Sequence, residues 1–217
     1  MTAVWLEIRA LCGGALAFVI AWRLRIVLGM LMLGALAFIT VPNDPAWLEL
    51  VRSVRSPFLV RLAATFSVWG DYLRGTLGFL AILTVASFVV RSKRLRRAAL
   101  ASVLAASFAG GTAVMIRTLV GRPRPRSLLD DGVYGPSIEH TLNSFPSGHS
   151  ATAFGTACAL LPMVPYVGVP AVLFAGGVAW SRMHRNYHHP TDVLVGAALG
   201  TMFGLAFGMA GRRRLQA

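Results

Sequence analysis

Three short stretches of this chain carry residue types suited to handling an anion. The first runs Arg117-Thr-Leu-Val-Gly-Arg-Pro-Arg124-Pro125, and the second runs Ser144-Phe-Pro-Ser147-Gly148-His149-Ser150. The third holds Ser181-Arg182, followed by His188 and Asp192. Arginine presents a planar fork of N–H donors that matches phosphate oxygens, so Arg117, Arg124 and Arg182 together suit a phosphoryl group. Ser147-Gly148-His149 stands just ahead of an apolar run. A helix starting there aims unpaired N–H groups and the positive end of its dipole at the same anion. Glycine at 148 lets the backbone come close. His188 and Asp192 are four residues apart, so on a helical turn the carboxylate reaches one ring nitrogen. The other nitrogen is then a nucleophile toward phosphorus, and His149 is the general acid for the departing oxygen.

Each piece also has a plainer reading. Arginines beside apolar runs, Arg122 and Arg126 among them, read as anchors that snorkel to a membrane surface. Pro-Ser-Gly reads as a helix cap, and a histidine beside it as a satisfied interfacial residue. His184, His188 and Asp192 fall at successive i, i+4 positions, the spacing of a zinc or iron face. A cation there would sit among three arginines and be repelled, so no metal is expected. The phosphoryl reading gains its weight from the three clusters falling on one predicted side of a membrane.

A membrane is required by composition. Of 217 residues, 56% are hydrophobic and only 13% charged, about half the charge of a soluble domain, in which roughly a quarter of residues are charged. Polar surface cannot cover such a globule, so a bilayer must cover part of it. The net charge of +13 would suggest nucleic acid in a soluble protein. Here the basic residues, all arginine except Lys93, stand in short stretches between apolar runs, as membrane loops do, and no nucleic-acid partner is expected. Cys12 and Cys158 lie inside apolar runs and give no disulfide framework.

The uncharged runs Ile26–Asn43, Gly75–Val90, Ala98–Ile116, Ser150–Ser181 and Val193–Gly211 are long enough, or nearly so, to span hydrocarbon. Pro162, Pro165 and Pro170 divide the fourth into two helices joined by a tight turn. The expected fold is all-α: a polytopic bundle of six transmembrane helices. Residues 1–25 read as an N-terminal interfacial segment, and 26–217 as a single membrane domain. Pro42–Tyr72 alternates apolar and basic residues and reads as an amphipathic stretch lying on the surface. The basic connection Arg91–Arg97 and the tail Arg212–Arg214 fall on one side, which the positive-inside rule makes cytoplasmic. The three clusters then face outward.

The clusters resemble the signature of the type-2 phosphatidic acid phosphatase superfamily, K-x6-R-P, P-S-G-H and S-R-x5-H-x3-D. Pro146–His149 match the second part and Ser181-Arg182, His188 and Asp192 the third. Arg124-Pro125 match the first, with Arg117 at its lysine position. The resemblance covers roughly residues 70–211. It implies that His188 attacks phosphorus to form a phosphohistidine, oriented by Asp192, and that His149 protonates the leaving oxygen and later activates water. Arg117, Arg124, Ser147, Gly148 and Arg182 are then the phosphate-binding set, with no cofactor or metal. The implied protein is a bacterial inner-membrane lipid phosphatase with its site on the periplasmic side. Undecaprenyl diphosphate leads the candidate substrates; phosphatidic acid, phosphatidylglycerophosphate and lipid A phosphate are the others. A lipid phosphotransferase and a non-catalytic lipid-phosphate binder are the alternatives, and the sequence is silent on oligomeric state.

Overall fold

A computed structural model describes residues 3–216 as an almost wholly helical chain. The helices are α1 (Ala3–Ala21), α2 (Arg23–Thr40), α3 (Asp44–Ser53), α4 (Pro57–Trp69) and α5 (Leu77–Val89), the last entered through a π-helical turn at Tyr72–Thr76. They continue as α6 (Lys93–Val120), α7 (Gly148–Leu160), α8 (Pro165–His184) and α9 (Pro190–Gln216). The run Ser150–Ser181 is indeed two helices, broken just ahead of Pro165.

Among the described residues, five helical stretches are long and apolar enough to cross a membrane: Val4–Ala21, Arg23–Ser53, Tyr72–Val89, Lys93–Val120 and Pro190–Gln216. Their outward faces are apolar; Phe38 on α2 and Val89 on α5 are 82% and 77% exposed. Each such side chain left in water would forgo roughly 1.5–3 kcal/mol of burial, so these faces belong in lipid. α7 is different. It rises only about 20 Å and is buried along nearly its whole length by its neighbours. α1 packs on α9 and buries Leu11 and Ala15 in an apolar cluster that also holds residues of α6 and α7. Its Glu7 accepts from Arg97 Nε at 2.5 Å, and Arg214 Nε lies 4.0 Å away. This ion cluster sits at the ends of α6 and α9 remote from the three motifs.

The contact that aligns the motifs is between α7 and α9. Gly196, Gly200, Gly204 and Gly208 recur every four residues along one face of α9, and each meets the α7 side directly, at the Ser147 and Ala151 carbonyls, Cys158 and the Ala159 carbonyl. Small residues at this spacing let two helices approach backbone to backbone. A Cβ on Gly204 would lie 2.6 Å from Cys158 Cβ and 2.9 Å from Gly155 O. Alanine gains about 1 kcal/mol of helix propensity over glycine, but a clash with fixed backbone is expected to cost about 1–3 kcal/mol. Gly204→Ala should therefore lower the thermal unfolding midpoint in detergent; an unchanged or raised midpoint would show that the two helices can part. α6 packs on the same helix through Ala105 and Ala106, which face Gly155, while Ser102 Oγ donates to Thr156 O at 3.2 Å.

The segment expected to lie on the surface does so only in part. Val54, Phe58 and Val60 are exposed, but Asp44, Leu48, Ala63 and Ser67 are buried against the bundle. The reason is that α3 and α4 cover the motif-bearing end of α8 and α9, and two of their polar side chains reach into it.

Candidate active site

The first motif leaves α6 through Gly121, whose φ of +59° closes the helix in the left-handed region. The following loop folds back on itself: Arg124 N donates to Thr141 O at 2.9 Å and Ser144 N to Arg122 O at 3.0 Å. Ser147 caps α7, its Oγ accepting from Ser150 N at 3.4 Å and from Ser150 Oγ at 3.1 Å. Its backbone N–H donates to Asp192 O at 2.9 Å. That bond ties the start of α7 to the start of α9, so His149 and His188 stand at the same end of the bundle. The capping reading of Ser147 is thus correct, and its own hydroxyl proton is what it has left for a phosphate oxygen. Arg117 closes on the same place, since a Cβ on Gly148 would collide with its guanidinium. Arg117, Gly148 and His149 line one wall of a cavity of about 410 Å³ that also touches Asp71 and Tyr72.

Arg124 and Arg182 meet over one aromatic ring. Their guanidinium carbons lie 5.9 and 4.3 Å from the Tyr187 centroid, and those of Arg126 and Arg185 lie 4.1 and 5.3 Å from it. Arg182 Nη1 donates to Ser67 Oγ at 2.5 Å, and Arg124 Nη2 reaches Asn143 O at 3.4 Å. The Nε of each is buried without a partner. Among the described residues no carboxylate lies within 4 Å of Arg117, Arg124 or Arg182. Burial, then the charges of Arg126 and Arg117, pull Arg124 down to about 10. The same field holds the His140 imidazole below its ordinary value, Arg124 being the first cause. Unpaired positive charge held out of water needs an anion.

Arg122 shows what pairing looks like here. Expected as a snorkelling anchor, it is buried and binds three carboxylates. Its Nε and Nη2 fork onto Asp131 at 3.1 and 2.9 Å, its Nη1 donates to Asp192 Oδ1 at 2.9 Å, and Nη2 pairs with Asp44 Oδ2 at 3.0 Å. Burial works against its charge, but the hydrogen bond to Asp131 and the charges of Asp192, Asp131 and Asp44 outweigh it and hold Arg122 above its ordinary range. A snorkelling side chain reaches for water; this one reaches for acids.

The histidine–aspartate pair also differs from the simple i, i+4 expectation. His188 Nδ1 is 3.7 Å from Asp192 Oδ2, beyond hydrogen-bond length. Its partner is the Ser144 carbonyl, at 2.8 Å. Asp192 Oδ2 instead accepts from Ser144 Oγ at 2.5 Å and from His189 N at 2.8 Å. A carbonyl only accepts, so Nδ1 carries the proton and Nε2 keeps its lone pair. The tautomer inferred from the motif is therefore fixed by a different acceptor. Burial pulls His188 down to about 4, so the ring is neutral at pH 7. Imidazole nitrogen NMR of the labelled protein is expected to show the Nδ1–H tautomer, uncharged until the pH falls toward 4. Titration near 6.5, or an Nε2–H tautomer, would contradict this.

The remaining histidines stand apart. His184 packs at a tilt against Trp180 with ring centroids 4.9 Å apart, and His189 Nε2 lies 3.3 Å from Pro123 O. No cluster of three or more potential metal ligands occurs among the described residues. Sequence reasoning missed Asp44, Asp131, Thr191, Ser67 and Tyr187, and gave Ser144 no role. Scarcity was the available signal for the acids, since the chain holds only eight acidic residues and a buried acid in a membrane protein is costly.

The sequence pattern of the PAP2 superfamily matches residues 97–214, more than half of the chain and all three motifs. This protein belongs to that superfamily. Among similar PAP2 proteins, a decaprenylphosphoryl-5-phosphoribose phosphatase of Mycobacterium tuberculosis is 33% identical over 166 residues, which cover 76% of this chain and 87% of the relative. A lipid A 1-phosphatase of Rhizobium johnstonii is 37% identical over 103 residues, 45% of this chain and 41% of that protein's length. The chain thus matches about two fifths of that relative. The crystal structure of Aquifex aeolicus LpxE superposes with a TM-score of 0.57 at 25% identity, covering 75% of this chain and 92% of the other. That of a transmembrane PAP2-type phosphatidylglycerolphosphate phosphatase from Bacillus subtilis gives 0.55 at 22% identity, covering 86% and 94%, a likeness of fold.

Proposed function

We propose that this PAP2 protein is a multi-pass membrane lipid phosphatase that works through a phosphohistidine on His188. The observation that carries the reading is the set of three arginines without carboxylate partners, Arg124 and Arg182 buried and Arg117 half-buried, beside a neutral histidine whose Nε2 lone pair is free. His188 Nε2 attacks phosphorus and the bond from phosphorus to the lipid oxygen breaks; His149, which takes up a proton once the bound phosphate offsets the arginine charges around it, gives that oxygen its proton. Water, deprotonated by the same His149, then attacks the phosphohistidine and releases inorganic phosphate, returning His188 to its starting state. Arg117, Arg124 and Arg182, with the Gly148 N–H and Ser147, stabilise charge on the phosphoryl oxygens throughout. That is the role a metal ion plays elsewhere, so turnover is expected to persist in EDTA.

An apolar cavity of about 600 Å³ supports a lipid substrate. It begins at Ala153, one helical turn beyond His149 on the same face of α7, and continues past Ala157 between Phe79, Tyr166 and Phe174. A tail lying there keeps to the bilayer while its headgroup reaches the arginines. Polyprenyl-linked phosphates are the lead class. The relative matched along most of both chains is named for a decaprenyl lipid, and undecaprenyl diphosphate shares its polyprenyl tail and pair of phosphates. In our reading the chain crosses six times with Arg91–Arg97 and Arg212–Arg214 inside, as the positive-inside rule asks, and the site then lies at the outer boundary of a bacterial cytoplasmic membrane.

The test is phosphate release by purified protein from undecaprenyl diphosphate, decaprenylphosphoryl-5-phosphoribose, phosphatidic acid, phosphatidylglycerophosphate and lipid A. Release from a polyprenyl substrate with the highest kcat/KM is the expected result. No release from any of them would overturn the proposal.

A further inference from the structure

Asp44 is 147 residues from the chemistry it touches and lies outside the region matched by the superfamily pattern. It opens α3, is fully buried, and spends both oxygens on the site. Oδ1 accepts from Thr191 N at 3.0 Å; Oδ2 accepts from Thr191 Oγ1 and pairs with Arg122 Nη2 at 3.0 Å. Thr191 Oγ1 also accepts from Arg122 Nη1 at 2.8 Å, the same nitrogen that holds Asp192 Oδ1 at 2.9 Å. Asp192 in turn holds Ser144 Oγ, and the Ser144 carbonyl holds His188 Nδ1. An unbroken chain of buried polar contacts therefore runs from the start of α3 to the ring of the nucleophile.

The charges explain why such a chain is needed. Asp192 reaches the imidazole only at 3.7 Å, so its direction depends on its other partners. Arg122 must serve three carboxylates at once, and without Asp44 its planar fork is free to turn toward the two that remain. Asp131 is the more exposed of those two, with 37% of its side chain open to solvent. A guanidinium drawn that way leaves Asp192 Oδ1, and Asp192 then no longer fixes Ser144.

We infer that Asp44 and Arg122 are positioning residues for the reaction: they hold Asp192 and, through Ser144, aim His188 Nε2 at phosphorus. This rests on the phosphohistidine reading above. Neither residue meets the phosphate, because Arg122 has its donors on acids and on Thr191. Their loss should therefore weaken the transition-state geometry and spare ground-state phosphate binding by Arg117, Arg124 and Arg182.

Inhibition constants separate the two, and they do not depend on what fraction of a preparation is folded. Inorganic vanadate takes a five-coordinate form that requires an aimed nucleophile, whereas inorganic phosphate requires only the arginines. For Asp44→Ala and Arg122→Lys, the vanadate Ki is expected to rise about tenfold or more, as misplacement of a reacting group by a fraction of an ångström implies. The phosphate Ki should stay within about twofold, because the groups that bind the anion are untouched. Asp44→Asn keeps an oxygen for Thr191 N but loses the charge facing Arg122, and it should fall between wild type and Asp44→Ala. Equal shifts in both constants, or no shift in either, would overturn the inference. His188→Ala serves as the control: surviving turnover there would mean that the phosphohistidine reading itself has failed.

Discussion

Replacing His188 by alanine is expected to lower phosphate release by at least about 10⁴-fold, a loss of roughly 5.5 kcal/mol of transition-state stabilisation. The size follows from the site. His188 is buried, its Nδ1 is committed to the Ser144 carbonyl, and its Nε2 is the lone pair left for phosphorus. No neighbour can take its place. His184 packs at a tilt against Trp180, and the His189 ring turns toward Pro123. The three unpaired arginines remain, so inorganic phosphate should still inhibit or bind with an affinity within a few-fold of wild type. Steady-state release from the preferred lipid, with phosphate binding measured alongside, checks both halves. Activity above about 1% of wild type would mean that the arginines and water suffice without a covalent step.

Arg182→Lys is expected to lower kcat/KM by about 10²-fold, in the range found when a transition-state donor is removed. The charge is kept, so a loss of that size must come from shape. Arg182 is 6% exposed, is stacked over Tyr187 and donates to Ser67. An ammonium keeps neither the planar stack nor the fork, and it leaves Ser67 Oγ without its donor. Arg126 makes the contrast. It stacks on the same ring from the exposed rim, at 4.1 Å, and Arg126→Lys should change kcat/KM by less than about threefold, as exposed charges usually do. Similar losses at both positions would point to bulk positive charge, not a shaped anion site, as what matters.

The residues proposed to act on phosphate were legible in the sequence, and so were the helices that carry them. Arg117, Arg124, Gly148, His149, Arg182 and His188 stand in local runs, each beside an apolar stretch whose length marks a helix, and their convergence follows from putting one end of every helix on one side. The glycines every four residues along α9 were not read as a packing face; their role shows only once α7 is seen lying against them. What aims these residues was hidden, for two physical reasons. An arginine that snorkels and an arginine that gathers three acids look alike until its surroundings are known, as Arg122 shows. Asp44 and Ser67 act across long separations from a segment whose alternation of apolar and basic residues describes its outer face only. The i, i+4 spacing of His188 and Asp192 placed them together correctly but not in contact, because Asp192 is drawn to Arg122 and the Ser144 carbonyl lies nearer the ring. Periodicity gives the face of a helix; it does not give the competition among acceptors on that face.

The covalent step is open to direct observation. The purified protein is mixed with lipid substrate carrying labelled phosphate, quenched within milliseconds in alkali, digested and mapped by mass spectrometry. Label on His188, stable in base, lost in acid and absent from His188→Ala, is the expected result. Turnover without label on any residue, or label on a residue other than His188, would contradict the account.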